Sequence, residues 1–141
     1  MQIKFFELNK IKLNNYKFYL FYGNNEGLKE ETIKNSFEIN HQDKIHRYEE
    51  KEILDNINNF FNSVLTKSFF DNEKLIIINR ATDKIRETIE DLMEKNPEDI
   101  KIILNSKNLE KKSTLRKIFE KEKSIICVPF YEDNNQTLNS I

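Results

Sequence analysis

Five short apolar runs recur along the chain, each separated from the next by polar turns and by segments with helical spacing. Tyr16 to Tyr22, Lys44 to Tyr48, Lys74 to Asn79, Ile100 to Leu104 and Ser124 to Val128 read as strands. The run Leu75 to Ile78 is apolar at every position, the pattern of a strand covered on both faces. Leu28, Ile33 and Phe37 share one face of a predicted helix with acids in its first turn. Ile53, Ile57, Phe60, Phe61, Val64 and Leu65 follow i, i+4, i+7, i+8, i+11 and i+12, which predicts a single helix of about four turns. Thr82 or Asp83 is placed to cap a helix carrying Ile85, Ile89, Leu92 and Met93, and Asn96-Pro97 stops it. Leu109 to Phe119 reads as a strongly charged helix. Met1 to Asn15 fits either a short helix or an edge strand, and residues 131–141 read as a polar tail.

Strands alternating with helices at this spacing predict a three-layer α/β sandwich with a mainly parallel five-stranded sheet. In such sheets function gathers at the carboxyl ends of the strands, here Gly23, Asn79, Asn105 and Pro129. With two glycines and two prolines in 141 residues there is no flexible linker, so 1–141 reads as a single domain.

Composition narrows the function classes. The net charge of -1 gives no overall attraction to nucleic acid or an acidic membrane, so such a contact needs a local patch. The single cysteine, Cys127, excludes an internal disulfide and fits a reducing, cytoplasmic compartment. No apolar run approaches the roughly 20 residues that span a bilayer, and no secretory apolar region opens the chain.

The stretch Gly23-Asn24-Asn25-Glu26-Gly27-Leu28-Lys29-Glu30 stands where a phosphate-binding loop would, after a strand and opening a helix. That loop requires two glycines five apart, then Lys and a hydroxyl residue. Here the glycines are one residue too close, Leu28 precedes the lysine, and Glu30 replaces the hydroxyl. The strand ending in Asn79-Arg80 also offers no acid to hold magnesium, and neither strand end supplies the acids of a phosphate-accepting receiver domain. His41 and His46 have neither helical nor finger spacing, so no metal site is expected. Cys127 lies in an apolar run and reads as an inert core residue. Lys111, Lys112, Arg116 and Lys117 form the one possible DNA-facing patch, although Glu110, Glu120 and Glu122 interleave with them. Phe69 and Phe70 sit side by side in a short polar connection between a helix and a strand. They either pack in the core or reach out as an anchor for another protein's pocket, and composition leaves both open.

Taken together these segments resemble the N-terminal domain of the delta subunit of the bacterial DNA polymerase III clamp loader, over nearly the whole chain. An aromatic strand running into a Gly-x-[Asp/Asn] turn is similar to Tyr19-Leu20-Phe21-Tyr22-Gly23-Asn24-Asn25-Glu26-Gly27-Leu28. The family's small residue followed by [Leu/Phe]-Phe and a basic-apolar strand is similar to Ser68-Phe69-Phe70 and Lys74-Leu75-Ile76-Ile77-Ile78-Asn79, with Phe standing first where the family often carries Leu. Pro97 to Leu104 and Asn108-Leu109-Glu110-Lys111-Lys112 are similar to the family's next strand and lysine-rich turn. The resemblance implies an AAA+/RecA-like P-loop NTPase fold with a degenerate phosphate loop, no cofactor and no catalytic residue. It implies that Ser68, Phe69 and Phe70 bind the beta sliding clamp and help to open its ring. Other clamp-loader subunits are implied partners of a full-length protein, with DNA contacted weakly or indirectly; this chain is expected to lack the family's lid and collar domains. The alternatives left standing are a phosphate-loop enzyme with an aberrant nucleotide site and a DNA-binding fragment.

Overall fold

In the computed structural model, which describes residues 1–42, 44–66 and 73–131, the five apolar runs are five strands: β1 (Phe18–Tyr22), β2 (Ile45–Glu49), β3 (Lys74–Asn79), β4 (Ile100–Asn105) and β5 (Ile126–Pro129). Five helices connect them: α1 (Glu26–Ser36), α2 (Glu50–Asp55), α3 (Ile57–Leu65), α4 (Arg86–Glu94) and α5 (Thr114–Lys121). Every strand pair is parallel, in the order β2-β3-β4-β1-β5. The expected α/β class with a parallel five-stranded sheet is therefore what forms.

The continuous apolar runs follow from cover on both faces. Alternate strand residues feed two cores. Phe18, Leu20, Ile76, Ile78, Ile102 and Leu104 pack with residues of α2 to α5, such as Ile53, Phe60, Leu92 and Phe119. Tyr19, Phe21, Leu75, Ile77 and Ile103 pack on the other face with Ile33 of α1, Phe37 and Leu8. β2, at the edge, is only partly buried and carries the exposed His46 and Arg47, as an edge strand tolerates charge.

Three expectations change. The four-turn helix over residues 53–65 is two helices, broken at Asn56, whose φ of -152° and ψ of 74° are not helical. The Asn56 side chain accepts a hydrogen bond from the Asn59 amide at 3.2 Å, so it caps α3. The apolar stripe survives because both helices rest on one face, with Ile53, Phe60 and Val64 in the same core. The basic helix begins at Thr114 rather than Leu109, because the Ser113 hydroxyl accepts from the Arg116 amide and starts it there. The N-terminal segment combines both alternatives: 3-10 turns at Phe5–Lys10 and Leu13–Asn15, and a single parallel bridge from Gln2 to Cys127 beside β5.

Candidate functional site

The register places the four strand ends on one edge. Asn79 of β3 lies opposite Asn105 of β4, Asn105 opposite Phe21 of β1, and Tyr22 opposite Pro129 of β5. Beyond Tyr22 the chain turns through Gly23, whose φ is +121°; a Cβ there would stand 2.0 Å from the Phe130 carbonyl oxygen. Only glycine fits that turn.

The loop from Gly23 to Lys29 is closed on itself and its neighbours. The Gly23 amide donates to the Lys107 carbonyl at 3.2 Å, Asn25 to Phe130 at 3.1 Å, and Glu26 to Asn24 at 3.0 Å. Leu28 donates to the Asn25 side chain at 3.2 Å and Lys29 to the Asn25 carbonyl at 3.1 Å. A phosphate cradle needs such amides pointing outward at an anion; these point at protein oxygens. Lys29 is fully buried, its Nζ donating to the Ser106 carbonyl at 2.7 Å and pairing with Glu26 at 2.8 Å. A cation that would reach a phosphate is instead bound inside the fold. The sequence held half of this signal, Glu26 three residues before Lys29 in the first helical turn; the Ser106 carbonyl is far along the chain.

Above these strand ends lies a cleft of about 350 Å³ in which Glu26, Glu30 and Glu49 face Arg80 and Lys107. Arg80 is itself paired with Glu49 at 3.3 Å, and Glu26 with Lys29. A polyphosphate entering there meets a wall with more carboxylates than cations, which is repulsive.

The junction between α3 and β3 carries the second candidate. Ser68, Phe69 and Phe70 lie outside the described residues. On the near side, the Lys74 ammonium donates to the Thr66 carbonyl at 2.8 Å and the Ser63 carbonyl at 3.2 Å. On the far side, the Glu73 carboxylate meets His41 Nε2 at 2.6 Å and Lys101 Nζ at 3.2 Å. The Lys101 side chain is only 4% exposed, so Glu73 is the charge partner that lets an ammonium remain buried in β4.

Of the basic residues considered for DNA, Lys111, Lys112 and Lys117 are exposed, and Lys112 pairs with Glu110 at 3.4 Å. Arg116 turns inward: it donates to the Leu109 carbonyl at 2.8 Å, lies over the Tyr22 ring at 4.9 Å and pairs with Glu120 at 3.4 Å. The structure thus brings three of the four onto the surface and withdraws the fourth. His41 is turned inward, away from any strand, while His46 stays exposed on β2 with its pKa lowered by burial and by Lys74 and Lys44. Among the described residues no cluster of three or more His, Cys, Asp or Glu is placed to hold a metal. Cys127 is buried as expected, and burial pushes its thiol up to about 12. No helix of the described residues is long and apolar enough to cross a membrane.

No curated protein matches the chain. The family described as DNA polymerase III, delta subunit, matches residues 19–128, a span that reaches from β1 into β5 and takes in both candidate sites. Because that match covers most of the chain, the chain belongs to the DNA polymerase III delta subunit family.

Proposed function

We propose that this domain docks on the ring-shaped sliding clamp of DNA replication through Ser68, Phe69 and Phe70, and helps to open the ring without hydrolysing ATP itself. Family membership ties the chain to DNA polymerase III clamp loading; the contact with the clamp and the silent nucleotide site are the finer reading. One observation carries it: the loop that heads α1 spends its amides and its lysine on protein oxygens, with Lys29 buried against Glu26 and Ser106. A domain of this strand order with that loop closed suits an AAA+-like fold whose remaining task is to hold a partner. A phenylalanine pair that follows α3 in the sequence supplies the anchor. Burying both rings is worth roughly 3–6 kcal/mol before association costs. It biases the ring only as far as the open and closed rings bind the pair differently. Other clamp-loader subunits are the further partners this reading implies, and the exposed Lys111, Lys112 and Lys117 are suited at most to weak DNA contact.

Surface plasmon resonance against the sliding clamp of the same organism tests the docking half. The wild-type chain binds, and the Phe69→Ala, Phe70→Ala double variant loses about a hundredfold or more in affinity with an unchanged melting temperature. Equal binding by the two would move the contact elsewhere on the domain. Calorimetry with Mg-ATP tests the other half: no heat of binding is expected, and a saturable one would favour an enzyme with an aberrant site.

A further inference from the structure

We propose that the cleft above the strand ends binds a small zwitterion, a molecule with one ammonium and one carboxylate such as a free α-amino acid; the proposal does not rest on the docking reading above. It starts from two buried polar atoms at the end of β4. Ser106 is 1% exposed and lines the cleft, yet its hydroxyl has no hydrogen-bond partner among the described residues. The backbone around that hydroxyl is engaged: the Ser106 amide donates to the Phe21 carbonyl at 2.8 Å, and the Ser106 carbonyl accepts from Lys29 at 2.7 Å. Beside it, Asn105 donates through Nδ2 to Asn79 Oδ1 at 3.1 Å, which leaves its own buried Oδ1 as an acceptor with no donor among the described residues. Leaving such atoms unpaired costs stability, so two of them lining one cleft point to a ligand that completes them.

Charge decides the class of ligand. Around the cleft, Glu49 is paired with Arg80 and Glu26 with Lys29. One charge of each sign is left: Glu30 and Lys107 line the cleft, both exposed and neither with an ion-pair partner among the described residues. A plain anion meets Glu30 and brings no donor to Asn105 Oδ1. A plain cation supplies that donor but meets Lys107. A zwitterion complements all four groups. Its ammonium donates to Asn105 Oδ1 and faces Glu30, while its carboxylate accepts from the Ser106 hydroxyl and faces Lys107. The cleft volume of about 350 Å³ admits a molecule of that size. An adjoining cleft of about 290 Å³ shares Glu30, Asn79 and Asn105 with it and leaves room for a side chain.

Heteronuclear NMR on the full chain tests the site, with L-alanine as the zwitterion and acetate and ethylammonium as its separate halves. L-alanine is expected to shift the amides of Glu30, Asn105, Ser106 and Lys107 saturably, with a Kd on the order of millimolar, and neither half should do so in the same range. Ser106→Ala, Glu30→Gln and Lys107→Gln should each weaken binding roughly five- to tenfold. Their melting temperatures should stay near the wild-type value. Ser106→Ala removes a hydroxyl without a partner in the fold, and the other two side chains are exposed. No saturable shift with L-alanine would overturn the proposal. Equal binding of acetate or ethylammonium would overturn the zwitterion, and wild-type affinity in all three variants would overturn the location. A marked drop in melting temperature for Ser106→Ala would also overturn it, by showing that the hydroxyl serves the fold.

Discussion

Asp83 shows how one side chain joins two elements that the sequence keeps apart. It lies in the turn before α4, yet its carboxylate accepts from the Ser113 hydroxyl at 2.6 Å and the Leu115 amide at 3.1 Å, so it caps α5 from another part of the fold. Burial alone would raise its pKa; the Ser113 hydroxyl, the Leu115 and Thr114 amides and the Arg86 charge outweigh that and hold it below the ordinary carboxylate value. A carboxyl depressed in the fold stabilises most above its unfolded pKa of about 3.9, and that contribution is lost as pH falls through the folded value. Asp83→Asn is therefore expected to cost about 1 kcal/mol at neutral pH. In urea melts the gap to the wild type should narrow as the pH is lowered below about 3.9; a gap that stays constant would remove the charge from the account. Cys127 makes the converse case. A fully buried thiol pushed up to about 12 yields almost no thiolate at neutral pH, so a disulfide reagent should label it only at the rate of unfolding. Rapid labelling of the native chain would contradict the described packing of β5.

At the level of elements, the joint between β1 and α1 is the least tolerant. Gly23→Ala places a methyl carbon against the Phe130 carbonyl oxygen, which belongs to backbone and cannot swing away. The substitution also forces a side chain to adopt a positive φ, so a loss of more than about 2 kcal/mol is expected in thermal or denaturant melts. A variant as stable as the wild type would mean that the joint has another conformation. The same elements show what could be read from the sequence. The strands were legible because burial on both faces leaves an unbroken apolar run, as in Leu75 to Ile78. The division between α2 and α3 was not, because an apolar stripe persists when two helices rest on one face, and only Asn56 marked the break. The mismatched spacing of the Gly23–Glu30 loop was legible from its glycines; the burial of Lys29 was not, since its acceptor is 77 positions away. Similarly, a run of lysines and glutamates gave no hint that Arg116 folds under the Tyr22 ring.

Across the whole molecule the sheet order sets how the chain must assemble. β1 lies between β4 and β5, while the edge strand β2 pairs only with β3. Closure of the two pairings of β1, with β4 and with β5, involves residues separated by most of the chain, a topology that folds slowly for its size. Stopped-flow refolding is expected to have its main phase on the order of milliseconds to seconds, and a microsecond phase carrying the full signal would contradict the pairing. Synthesis imposes a harsher order of events. The ribosome releases the aromatic strand Phe18–Tyr22 first among the strands, and the last of its two neighbours, Ile126–Pro129, near the end of the described residues. During that interval the stickiest strand of the sheet has no permanent partner. The waiting time of a nascent chain, more than its final stability, decides how much of this protein needs the shelter of a chaperone.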